Sequence, residues 1–219
     1  LGIVFGAAIS GQILSRTGGH YRIQGILGLS IMGMGAIMLS WTTAEITHGY
    51  ALTSAVIMGF GLGTSFPLYT IAIQNGVPQQ YLGIATSSAQ FFRSVGGSIG
   101  LAVFGSYMVR RFKDGMEDNL PSEALEAVPP QLLNQITGNP NALLNPEASD
   151  NLINTFAASG ESGIAVGTQV LGAIRGSLAG AIGDVFFLCF IFVALAVVAT
   201  AFIREVPLRG RVKSSSVNP

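Results

Sequence analysis

The chain has 219 residues, 49% of them hydrophobic and only 10% charged, with eleven basic and eleven acidic side chains that cancel. A water-soluble domain carries about 25% charged residues, so this chain cannot clothe a water-facing surface, and its balance excludes the basic stripe of a nucleic-acid binder. The 29 glycines show no Gly-X-Y period, which excludes collagen; they lie inside apolar runs, where small residues let membrane helices approach closely.

A bilayer-spanning helix needs about 20 mostly apolar residues, and five segments predict such helices. They are Leu1–Leu14, Ile23–Trp41, Ala51–Ile73, Ile84–Val109 and Leu178–Ile203. The fold expected is therefore all-α, a polytopic transmembrane helix bundle with the lipid bilayer as its first partner. The first segment is under way at Leu1–Phe5, without a basic n-region or a cleavage site, so it is expected to be a truncated span of a longer protein. Residues 1–112 form four membrane helices in this reading, and 178–203 the last one. Residues 113–177 form an extracytoplasmic loop with short amphipathic helices, punctuated by Pro121, Pro129, Pro130, Pro140 and Pro146. Small residues from Gly163 onward, with Gly172, Gly176 and Gly180 four apart, lead continuously into the last helix. The tail, 204–219, is expected to be disordered.

Orientation follows from the Lys/Arg bias. Arg204, Arg209, Arg211 and Lys213 place the tail in the cytoplasm, and alternation then puts Arg16 and Arg22 inside as well. Arg110, Arg111 and Lys113 fall outside, against the rule.

Several residues carry chemistry. Arg93 lies about ten residues beyond the turn at Gly83, so at 1.5 Å per residue it sits roughly 15 Å deep. A charge there costs at least about 2.5 kcal/mol and must face protein or water. It is either a structural arginine that binds backbone carbonyls, a residue of the substrate or proton path, or a snorkelling side chain. Thr86, Gln90, Arg93 and Ser94 share one helical face. Tyr69 and Gln74 are further cavity candidates, and Phe66, Tyr69, Phe91 and Phe92 offer ring faces to a flat cation. Asp184 is the only acid within a predicted span, either an interfacial aspartate or a proton carrier, and a pair between Arg93 and Asp184 is conceivable. Gly59 and Gly63 make a small-faced helix, Pro67 removes a backbone donor within it, and Gly96-x-x-x-Gly100 forms a small-residue packing face. No metal, cofactor or enzyme motif is present: there is no H-E-x-x-H, Walker A loop, paired-cysteine site or G-x-S-x-G, and the protein is expected not to be an enzyme.

The first link reads Gly11-Gln-Ile-Leu-Ser15-Arg16-Thr-Gly18-Gly19-His20-Tyr21-Arg22. It resembles the cytoplasmic G-x-L-x-D-R-x-G-R-[RK] loop of the major facilitator superfamily at Gly11, Arg16 and Gly18. Ser15 stands where the family has an acid, so an ion-pair gating role is in question for this copy. The stretch from Gly59-Phe-Gly-Leu-Gly63-Thr-Ser-Phe-Pro67 to Gln90-Phe-Phe-Arg93-Ser-Val-Gly96-Gly-Ser-Ile-Gly100 is similar to the late helices of fourteen-helix drug/proton antiporters, the EmrB/QacA type. The resemblance implies the last five of fourteen helices, a plasma-membrane protein with a cytoplasmic C-terminus, and proton-driven export of amphipathic drugs by alternating access. Its partners would be the substrate, protons and the missing N-terminal half. Two alternatives stay open: an exporter of a metabolite, siderophore or lipid on the same fold, and a non-transporting membrane scaffold or receptor.

Overall fold

The computed structural model describes residues 1–17, 21–43, 47–119 and 161–203, with the side chains of 15–17 and 161–166 outside that description. The described residues form five α-helices and one short 3-10 turn: α1 (Gly2–Thr17), α2 (Tyr21–Ser40), α3 (His48–Gly76), the turn Gln79–Tyr81, α4 (Leu82–Asn119) and α5 (Glu161–Ala201). The fold is all-α. Three helices contain stretches long and apolar enough to cross a membrane: Tyr21–Ser40, His48–Gly76 and Gly167–Ala201. The apolar part of α1, Gly2–Leu14, is shorter. Helix α4 contains the expected Ile84–Val109 segment but falls outside the three, because Arg93 and its many Ser and Gly residues dilute the apolar run.

The burial pattern is that of a protein with an apolar exterior. Leu27, Leu52, Phe92 and Leu195 point outward, all more than half exposed, while Ser10, Ser54, Thr64, Ser65 and Thr200 are buried. Water would reverse that distribution; lipid accepts it, since hydroxyls must find partners inside the bundle.

Two compact units make up the described chain. The first holds α1, α2 to Leu39, α3, α4 to Ile99 and α5 from Cys189. Glycine sets its packing. A Cβ on Gly2 or Gly6 of α1 would strike the carbonyls of Val56 or Phe60 in α3, and one on Gly63 would strike that of Ile3. The register rises together along both helices, Gly2 at Val56 and Gly6 at Phe60, so α1 and α3 are parallel. A Cβ on Gly61 would meet backbone atoms of Met32 and Gly28 in α2, and one on Gly35 the backbone of Met58, which is antiparallel register. Residues 190–200 of α5 lie over α2: Phe190 and Val193 at Gly33, Thr200 at Gly25. Leu14, Tyr21 and Leu68 form a small core where these helices meet, flanked by Tyr69, Ile71, Ala72 and Ile203. Helix α3 continues through Pro67, whose missing N–H leaves the Gly63 carbonyl without its helical partner.

The second unit holds Ser40–Thr47, α4 from Gly100 and α5 to Leu188. The loop expected at 113–177 is shorter than drawn, because α4 runs on to Asn119 and α5 begins at Glu161. Phe112 and Met116, one turn apart, are buried, so the charged end of α4 still has an apolar stripe to pack. Val170, Ile174, Leu178 and Ala181 form the buried stripe of this part of α5, while Gly172, Gly176 and Gly180 have open space among the described residues where a Cβ would stand. The prolines from Pro121 to Pro146 and the tail at 204–219 lie outside the described residues.

Candidate functional site

The first site lies between α3 and α4. Pro78 and the turn Gln79–Tyr81, closed by the Tyr81 amide on the Pro78 carbonyl at 2.9 Å, reverse the chain. Helix α4 then runs back along α3, and Thr86, Ala89, Gln90 and Arg93 face Thr70 and Ile73 across a cavity of about 150 Å³. The helical spacing expected of Thr86, Gln90 and Arg93 is thus realised as one wall. The Arg93 guanidinium lies 4.8 Å from the centre of the Phe66 ring, and its Nη1 donates to Gln90 Oε1 at 3.2 Å. The Thr86 hydroxyl donates to the carbonyl of Leu82 and Ser87 to that of Gly83, so both donors are used within their own helix. Such a cavity is smaller than the roughly 300–1,000 Å³ of a drug pocket. It has room for one functional group.

A larger apolar groove of about 430 Å³ opens between α1, α2 and α3. Ile9 and Ile13, then Ile23, Leu27 and Ile31, then Phe60 and Thr64 line it. Its polar feature is Gln24, whose Nε2 donates to the Ser10 carbonyl at 2.9 Å and contacts Ser10 Oγ at 2.8 Å. Ser10 Oγ in turn donates to the Thr64 carbonyl at 3.0 Å. Gln24 Oε1 is buried without a hydrogen-bond partner. Gln24 was not among the sequence candidates; its signal was a lone amide one residue inside an apolar run.

The remaining candidates separate. The Tyr69 hydroxyl lies 2.6 Å from Thr200 Oγ1, so it ties α3 to α5. Gln74 is exposed near the end of α3. In the second unit Asp184 Oδ2 accepts from Arg111 Nε at 2.6 Å. Asp184 is therefore engaged by Arg111, and the partners of Arg93 are Gln90 and Phe66. Arg93 occupies one face of the Phe66 ring. Gly63 meets backbone, Gly59 makes an ordinary contact with Ile3, and Gly96 has open space around it among the described residues. Gly100 meets only the Phe104 ring of its own helix, at 4.0 Å. Gly11 is open among the described residues and Arg22 is the second residue of α2; the Arg16 side chain and Gly18 lie outside the described residues.

Residues 1–101 match the model of the Major Facilitator Superfamily. The same residues carry α1 to α3, the Gly11–Arg22 link and the Arg93 wall. The match places residues 1–101 in the major facilitator superfamily. The chain is a multi-pass membrane protein of that fold. Among curated members, it is 28% identical over 218 residues to "Multidrug transporter protein MdtP" of Bacillus subtilis, covering 96% of this chain and 39% of that protein. It is 31% identical over 109 residues to "Tetracycline resistance determinant" of Streptomyces rimosus, 49% of this chain and 31% of that protein. It is 32% identical over 121 residues to "Citrate exporter 1" of Yarrowia lipolytica, 55% of this chain and 18% of that protein. The chain thus spans about two fifths or less of these relatives. No solved structure matches it. Within the facilitator fold, glycine-mediated contacts such as Gly61 on Met32 set helix spacing, and the polar groups at Arg93 and Gln24 mark the two concave places where a ligand group would fit.

Proposed function

We propose that the full-length protein is a secondary active exporter of amphipathic compounds, multidrug efflux among them, driven by proton antiport through alternating access. The observation that carries this is the likeness to MdtP over 96% of the chain. A permanently charged guanidinium held beside α3 and an open apolar groove are consistent with it, since together they offer polar anchoring and apolar area. This chain would contribute late helices of a fourteen-helix bundle, with the N-terminal half completing the cavity and supplying most proton-coupling groups. Phe92 and Ile99, seven residues apart on one side of α4 and both exposed, form an apolar surface such a half would cover. The protein would sit in the plasma membrane with its C-terminus in the cytoplasm, following the basic residues from Arg204 to Lys213.

A second reading, export of a metabolite, is favoured by the 32% identity to a citrate exporter. Uptake of dyes and organic acids into everted vesicles, with and without a proton gradient, separates the two: drug export requires gradient-dependent dye accumulation, metabolite export requires it for the acid alone.

A further inference from the structure

We infer that Arg93 is an anion subsite, and that the compounds this transporter moves carry a carboxylate or a similarly compact anionic group. The inference rests on the export reading above and names its substrate class.

Four observations support it. First, the charge is deep. Arg93 lies about 15 Å from the start of α4, and Phe66, over which it stacks, lies about 15 Å from the end of α3, so both helices place the guanidinium near the middle of a roughly 30 Å hydrocarbon layer. Second, the charge is uncompensated within the described residues. Among the described residues Arg93 has no carboxylate; its partners are one amide oxygen at 3.2 Å and one ring face. A guanidinium has five N–H donors, and Gln90 Oε1 occupies one. A cation at that depth costs enough that it needs an anion or water. Third, the space fits. The adjoining cavity of about 150 Å³ suits one planar group rather than a whole drug. The guanidinium fork matches a carboxylate with two parallel hydrogen bonds. Fourth, the site repels the opposite class. Phe66 offers its face to Arg93, and a cationic substrate would meet like charge there.

The test uses the full-length transporter in proteoliposomes with an imposed proton gradient and two dyes, anionic carboxyfluorescein and cationic rhodamine 6G. Wild type is expected to accumulate carboxyfluorescein. Arg93→Gln should lower that transport about tenfold or more, the size of a lost charged hydrogen bond, and spare or raise rhodamine transport. Arg93→Lys should retain part of the carboxyfluorescein flux. Wild type that moves rhodamine and not carboxyfluorescein overturns the inference while leaving export intact, whatever the variants do. Equal loss of both dyes in Arg93→Gln, restored for both in Arg93→Lys, also overturns it, because the arginine would then pair with an acid of the protein itself. Wild type that moves neither dye overturns the inference and the export reading together.

Discussion

Arg111 Nε donates to Asp184 Oδ2 at 2.6 Å, joining two residues 73 positions apart on antiparallel helices. One helical turn further along, the Gly115 position closes on Ser177, and Asn119 Nδ2 reaches Ser177 Oγ at 3.4 Å. The pair raises the Arg111 pKa, through the hydrogen bond to Asp184 and then its charge. Together these contacts bind the end of α4 to the start of α5.

Both charges of that pair are well exposed, at 44% and 36%. An exposed pair contributes about 0.2–1 kcal/mol. A double-mutant cycle over Arg111→Ala and Asp184→Ala, read by thermal unfolding in detergent, should return a coupling in that range. The swap of Arg111→Asp with Asp184→Arg should recover most of the stability lost by either change alone. Strictly additive losses would show that the pair contributes nothing.

Glycine tolerance should divide along α3 and α4. Gly61→Ala drives a Cβ into the backbone of Met32 and Gly28, which cannot rotate away, and should cost about 1–3 kcal/mol. Gly96→Ala enters open space and should leave unfolding unchanged or slightly raise it, because alanine favours helix. Equal effects at the two positions would contradict the helix spacing described.

Gln24 should matter little to stability. Gln24→Leu loses the hydrogen bonds to Ser10, each worth about 0.6 kcal/mol within a membrane, but also removes the buried, unpaired Oε1. The two effects offset to within about 1 kcal/mol. Thermal unfolding of the variant should therefore stay near wild type, while transport of a substrate that enters the groove falls. A large destabilisation with transport per folded molecule unchanged would make Gln24 a packing residue only.

Much of this architecture was legible in the residues themselves. Apolar runs bounded by short polar links mark the helices, and Thr86, Gln90 and Arg93 at spacings of three and four share a face whatever surrounds them. The stacking of Arg93 on Phe66 was not legible, since it depends on how two helices align across the turn at Gln79–Tyr81. The partner of Asp184 was hidden for the same reason: Arg110, Arg111 and Lys113 precede the long proline-rich stretch, and no periodicity singles out Arg111. Charged residues from Lys113 onward suggest a loop, whereas Phe112 and Met116 keep one stripe of α4 apolar as far as its end at Asn119. Gln24 carries little signal in the sequence, because one amide scarcely alters an apolar run.

The central claim is that the whole protein moves amphipathic compounds against a gradient. The most direct measurement is uptake of a fluorescent amphipath by everted vesicles containing the full-length transporter, energised with a proton gradient and then treated with a protonophore. Uphill accumulation that collapses when the protonophore is added is the expected result; vesicles that show no gradient-dependent movement of any dye or organic acid would rule such export out.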